Sequence, residues 1–243
     1  MAGMTCAGQV EIDDYCTTIL ERYWPGLWRK RDLRFIDELP SHQLLAFGDP
    51  CPKHSRARGN GKSVHPDLSG YCLSVVGRFQ PEWVVRENVP APTVEHFAAC
   101  LEYLGYGTLI IRMDSATHTG QSRQRDYIVG RYKASRESLS RGFHDFENGK
   151  GSYTTRLGTR PVVPALTTHR TRYDSRDCYI WHPERQVFRI LDGEEREAFA
   201  GFPQGWTSGF SEGKRAHMNG NTATPACVEM IGRAILQAAS REG

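Results

Sequence analysis

Residues 44–51 read Leu44-Leu45-Ala46-Phe47-Gly48-Asp49-Pro50-Cys51. Four consecutive apolar side chains, stopped by a glycine and a proline, read as a strand buried on both faces, and such strands belong to parallel sheets. The flanking sequence keeps the same beat. Downstream, Asp67 to Phe79 reads as helix, Trp83 to Val85 as strand, Val94 to Tyr103 as helix and Thr108 to Met113 as strand. Upstream, Gln9 to Ile12 ends a short strand. Asp13 then caps a helix to Trp24 whose apolar positions include Tyr15, Cys16, Ile19, Leu20 and Tyr23. Strands alternating with helices predict an α/β fold, a parallel sheet with helices on both faces, and such sheets bind ligands beyond the carboxyl ends of their strands. Near the end, Glu194 to Ala200 and Pro225 to Ala239 read as helices. In the second, Cys227, Met230, Ile231, Ala234, Ile235 and Ala238 form one stripe.

The chain has 243 residues, enough for one domain or one large and one small. With 39% hydrophobic and 24% charged residues it is a globular composition rather than a disordered one. It has no apolar run of membrane-spanning length and no signal-like leader, so a soluble, cytoplasmic protein with no membrane partner is expected. Seven scattered cysteines, without a Cys-x-x-Cys pair, read as reduced thiols rather than a disulfide framework or a zinc site. Net charge is only +3, yet Arg131 to Arg176 holds ten basic against four acidic residues, a local +6. Helical periodicity also fades there. Residues 131–177 are therefore expected to form a small basic region, with 1–130 and 178–243 forming the main body.

Three groups of residues carry chemistry. Cys51 leaves the end of its strand into a loop holding Lys53, Arg56, Arg58 and Lys62 and no acid. Positive charge favours the nucleophilic thiolate and suits a loop that closes over phosphates. Glu87-Asn88-Val89 follows the strand at Trp83 and puts a carboxylate at the same sheet edge. Buried beside a base, that carboxyl could stay protonated and donate to a ring nitrogen. Gln121, Arg123 and Arg125 then alternate along the stretch entering another strand, where guanidinium forks suit carbonyl or phosphate oxygens.

Together and in this order, Pro50-Cys51, Glu87-Asn88-Val89, Gln121-x-Arg123-x-Arg125, the stretch Arg189 to Pro203 and Gly220-Asn221-Thr222-Ala223 closely resemble the DNA cytosine-5 methyltransferase family. The resemblance implies the Rossmann-like fold of S-adenosylmethionine-dependent methyltransferases, with residues 131–177 as target-recognition region. It implies Cys51 as the nucleophile at cytosine C6, with Glu87, Arg123 and Arg125 completing the catalytic set. For the cofactor S-adenosylmethionine it implies Glu11 and Ile12 at the ribose, Asp32 at the adenine, and Pro50, Leu68 and Asn221 around them. The implied substrate is a flipped-out cytosine in double-stranded DNA, within a restriction-modification system with a cognate restriction endonuclease. The branch of the family that methylates tRNA shares the same residues and is the alternative. A DNA-binding remnant without catalysis is another.

The chain also departs from the family. Pro52 stands where a Gln is usual, and nothing matches the opening glycine-rich cofactor loop, Asp-x-Phe-x-Gly-x-Gly-Gly. A displaced start, a gene split with a complementing N-terminal chain, or decay would each produce this pattern.

Overall fold

The computed structural model describes residues 2–50, 67–143, 163, 165–166 and 179–240. It begins with β1 (Gly8–Val10), α1 (Asp14–Tyr23) and β2 (Trp28–Lys30), a right-sized βαβ unit whose two strands pair in parallel. Asp13 caps α1, accepting from Tyr15 N–H and Cys16 N–H at 2.8 and 3.0 Å, a contribution of about 1 kcal/mol. The main sheet follows: β3 (Leu44–Phe47), β4 (Trp83–Asn88), β5 (Tyr106–Asp114) and β6 (Gln124–Tyr132), in spatial order β3-β4-β6-β5.

This sheet is mixed, whereas the strand and helix alternation predicts a wholly parallel one. β3 and β4 are parallel, but β6 lies antiparallel between β4 and β5. The reason is local. Only residues 115–123 separate β5 from β6, too few for a parallel crossover, so the pair closes as an antiparallel hairpin.

Helices α2 (Ser69–Phe79) and α3 (Pro92–Tyr103) cover one face, where Cys72, Val76, Val94, Phe97 and Leu101 pack on Val84 and Ile128. On the other face, α4 (Arg136–Gly142) and the last helix, α7 (Pro225–Ser240), bury Leu139, Cys227, Ile231, Ala234 and Ile235 against Trp83, Leu109, Ile111, Tyr127 and Val129. Each fully buried Val, Leu, Ile or Phe side chain among them contributes roughly 1.5–3 kcal/mol. The stripe expected on α7 is the stripe that is buried, and Met230 packs at its edge. Leu139 and Phe143 belong to this same core, so residues 131–143, expected within the small basic region, pack with the main body. Most of the rest of that region lies outside the described residues.

Between the sheet and α7 come the hairpin β7 (Tyr179–His182) and β8 (Val187–Ile190), then α5 (Gly193–Ala200) and α6 (Glu212–Asn221). Among the described residues the β1–β2 pair shares no strand pairing with the main sheet, so β1 and β3 each pair on one side only. The βαβ unit is held instead through α1. Tyr23 stacks on Trp206 with ring centroids 3.7 Å apart and planes within 3°, Arg22 donates to the Ser208 carbonyl, and Tyr15 meets Phe210 edge-on.

Candidate active site

The parallel register of β3 and β4 decides which residues meet. Phe47 pairs with Arg86, so Gly48 and Asp49, which continue β3 toward Cys51, run beside Glu87 and Asn88. A Cβ on Gly48 would lie 3.9 Å from Glu87 Oε2. Glu87, expected just after its strand, is the next-to-last residue within it. Cys51 itself lies outside the described residues; Pro50, the last described residue before it, is exposed.

Side chains alternate along β4. Trp83, Val85 and Glu87 face α7, whereas Val84, Arg86 and Asn88 face α2 and α3. On the first face Arg125 Nε stands 2.8 Å from Glu87 Oε1. Burial raises the Glu87 pKa above the usual carboxylate range, while the charges of Arg125 and Arg123 pull against that rise. On the second face the side chains of Arg86 and Asp49, each 2% exposed, form a bidentate pair at 2.6 and 2.7 Å.

The Gln121 to Arg125 stretch is tied down at several points. Asp114 accepts from Arg123 N–H and from Ser122 Oγ, both at 2.8 Å. Arg123 precedes β6 rather than lying within it, and its Nη1 donates to the Gly220 carbonyl at 3.1 Å. Gln121 is buried; its Oε1 accepts from Leu166 N–H, and its backbone bridges to Val163. The same short stretch thus touches the carboxylate, the end of α6 and the described part of the expected recognition region.

A second group gathers at the start of α1. Glu11 Oε1 accepts from Asp13 N–H at 2.8 Å, and burial is the main cause of its raised pKa. His217 Nε2 lies 3.6 Å from Asp13 Oδ2 and 3.2 Å from Asn221 Nδ2. Glu11 and Asn221, 210 positions apart in the chain, are therefore joined through two intermediaries. Burial, helped by Glu11 and Asp13, pushes the nearby Cys16 thiol up to about 12.

Other expected site residues are placed differently. Asp32 caps the turn at Leu33–Phe35, and its carboxylate is taken up by Arg34, whose side chain holds its pKa down. Ile12 is exposed, and Leu68 is half-buried at the start of α2, where its carbonyl accepts from Cys72 N–H. Sequence reasoning missed His217, Asp49 and Arg86. The i, i+4 spacing of His217 and Asn221 on one helix was the available signal for the first; the pairing register of β3 and β4, which no local pattern encodes, governs the other two.

The 201–211 segment is organised by a single carboxylate. Glu197 is fully buried and accepts from Gly205, Trp206 and Thr207 N–H at 2.7, 3.1 and 2.8 Å and from Arg215 Nη2 at 2.9 Å. Burial opposes its ionisation, but hydrogen bonds from Thr207 and Arg215 outweigh that and lower its pKa. Gly193 is required here, because a Cβ would overlap the Arg215 guanidinium. Trp206 is thereby fixed as the stacking partner of Tyr23. Among the described residues no group of three or more His, Cys, Asp or Glu side chains is placed to hold a metal ion.

The α/β sheet thus brings to two adjacent strand ends a half-buried carboxylate, an arginine paired with it, and the chain that leads to Cys51. Residues 1–170 match the family model of the C-5 cytosine-specific DNA methylases, and the chain belongs to that family. It is 23% identical over 268 residues to the type II methyltransferase M2.BsuMI of Bacillus subtilis, covering 93% of this chain and 68% of that protein. It is 29% identical over 141 residues to the type II methyltransferase M.HgiBI of Herpetosiphon aurantiacus, covering 53% of this chain but 32% of that one. Among solved structures, a prophage-encoded Escherichia coli protein described as a DNA modification methyltransferase superimposes with a TM-score of 0.69. It shares 15% identity and covers 98% of this chain and 94% of its own. The fold is thus that of the S-adenosylmethionine-dependent C5 methyltransferases. No helix among the described residues is long and apolar enough to cross a membrane.

Proposed function

We propose that this chain transfers a methyl group from S-adenosylmethionine to C5 of a cytosine in duplex DNA, through a transient bond between Cys51 and C6. The observation that carries this reading is the meeting of Glu87, Arg125 and the Gly48 stem at two adjacent strand ends. Cytosine C5 is a weak nucleophile until aromaticity is broken. The Cys51 thiolate adds to C6 and turns the ring into an enamine. Glu87 hydrogen-bonds N3 and the exocyclic amine while Arg125 holds O2, so both stabilise charge as it develops. S-adenosylmethionine, when bound, supplies an electrophilic methyl group to the activated C5. Loss of the C5 proton to water or a base and expulsion of the Cys51 thiolate restore the aromatic ring. The base must first leave the stack, at a cost of a few kcal/mol, which the basic segments offset by holding phosphates.

The half-buried Glu11 carboxylate beside the N-terminus of α1, bordered by His217 and Asn221, fits the ribose end of the cofactor. Pro50 and Leu68 would border it from the Cys51 stem and α2. Asp32 supports an adenine contact only by exchanging its bond to Arg34. Among the described residues β1 and β3 each pair on one side only, which supports a further strand leading into the glycine-rich loop. A cognate restriction endonuclease and a cytoplasmic setting complete the proposal.

The test is transfer of labelled methyl from S-adenosylmethionine to unmethylated duplex DNA, with tRNA as competitor and Cys51→Ser alongside. Incorporation into DNA that disappears in Cys51→Ser, together with a covalent adduct on 5-fluorocytosine DNA, is expected. Transfer by the Ser variant would remove Cys51 from the mechanism. Transfer to tRNA alone would reassign the substrate.

A further inference from the structure

We infer that the buried Asp49–Arg86 ion pair is a positioning device that sets the Cys51 stem against Glu87. This inference rests on the reading of Cys51 and Glu87 given above.

Burying both partners of an ion pair to 2% exposure is costly, and apolar side chains of similar volume commonly stabilise a protein as well or better. Stability alone therefore does not account for the pair. Its geometry does more. The Arg86 fork grips Asp49 through both carboxylate oxygens, and Arg86 Nη2 also donates to Ser69 Oγ at 3.2 Å. Asn88 Nδ2 reaches the Asp49 carbonyl at 3.4 Å, and Ser69 Oγ reaches Asp49 Oδ2 at 3.4 Å. The Arg86 guanidinium lies 4.2 Å from the centre of the Phe97 ring, so the fork is itself held in place. Residue 49 is consequently fixed by side chain and backbone at the point where β3 has ended and ladder bonds no longer hold the chain.

The pair joins the two halves of the site at their roots. Asp49 is two residues before Cys51 and Arg86 is adjacent to Glu87. Because side chains alternate along β4, the clamp works from the α2 and α3 face while Glu87 is presented on the other. Among the described residues the clamp's side chains meet Ser69, Phe97 and one another, so Asp49 and Arg86 act on the site as positioning residues, through their chain neighbours. A shift of about 1 Å in such a site can cost on the order of 100-fold in rate.

The experiment measures the rate of covalent adduct formation on a 5-fluorocytosine duplex with S-adenosylmethionine present, together with cofactor affinity by calorimetry. Asp49→Glu keeps the charge pair but lengthens it by one methylene. The expected result is a folded protein with cofactor affinity within twofold of wild type and adduct formation slowed about 10- to 100-fold. Adduct formation within twofold of wild type by a folded Asp49→Glu protein would overturn the inference. Should that variant not fold, Asp49→Leu combined with Arg86→Met replaces the pair by apolar side chains. The same slowing is expected from it at undiminished melting temperature, and an unchanged rate overturns the inference. Wild type forming no adduct at all would instead overturn the parent reading, which keeps the two failures apart.

Discussion

Arg125 Nε lies 2.8 Å from Glu87 Oε1, although the residue facing Glu87 across the ladder is Tyr127, so the ion pair runs along the diagonal of β4 and β6. The arginine opposes the effect of burial on the carboxyl. Arg125→Ala removes that opposition, so the Glu87 pKa rises further and the protonated form persists to higher pH. The expected outcome is a methyl-transfer rate reduced roughly 100-fold, with the alkaline limb of its pH profile moved upward. An unmoved limb would show that Glu87 does not govern it.

Glu197 makes a separate prediction about stability. Its folded pKa lies below 4.5, so the stability it contributes is fully present above that pH and is lost as pH falls through the folded value. Glu197→Gln leaves buried Arg215 with only the longer 3.3 Å contact to Glu212 and costs about 3 kcal/mol at neutral pH, read by urea denaturation. The difference between variant and wild type is expected to shrink as pH falls through the lowered pKa of Glu197.

Trp206→Ala removes the stack on Tyr23 and loosens α1. A loss of about 2 kcal/mol is expected, with a coupling to Tyr23→Ala of about 1 kcal/mol in a double-mutant cycle. Cofactor affinity is expected to fall in the same variant, because Glu11 and Asp13 move with α1. Unchanged affinity would place the ribose site elsewhere.

Thiol labelling at pH 8 distinguishes the described cysteines. Cys6 is exposed and is expected to react first. Burial holds Cys16 near 12 and Cys227 near 11, and Cys72 is fully buried; these three should resist iodoacetamide until the protein unfolds. Mass spectrometry of the labelled peptides reads the order.

Much of this is legible in the sequence. The strand at 44–47, the α1 cap at Asp13 and the stripe on α7 are local patterns that survive folding, but the expected burial of 44–47 on both faces does not: β3 stands at the end of the sheet order, and its residues are half-buried or, at Ala46, exposed. The antiparallel placement of β6 was not legible as periodicity, because strand direction depends on connection length and register rather than on which side chains are apolar. Glu87 and Arg125 could be named from their motifs. Asp49, Arg86 and His217 could not, since their roles arise from the pairing of β3 with β4 and from a contact between α6 and the start of α1. Asp32 shows the converse: a plausible carboxylate whose neighbour two residues on, Arg34, already engages it.

The separation of the β1–β2 pair from the main sheet has a dynamic consequence. Among the described residues, detaching that βαβ unit breaks side-chain contacts but no ladder hydrogen bond, so it can open as a small cooperative unit while β4 and β6 stay closed. Amide protons at residues 8–10 and 28–30 should then exchange ahead of those at 84–87 and 127–130. Any ligand gripping Glu11 closes this unit on binding, and its measured affinity includes the free energy of that local ordering.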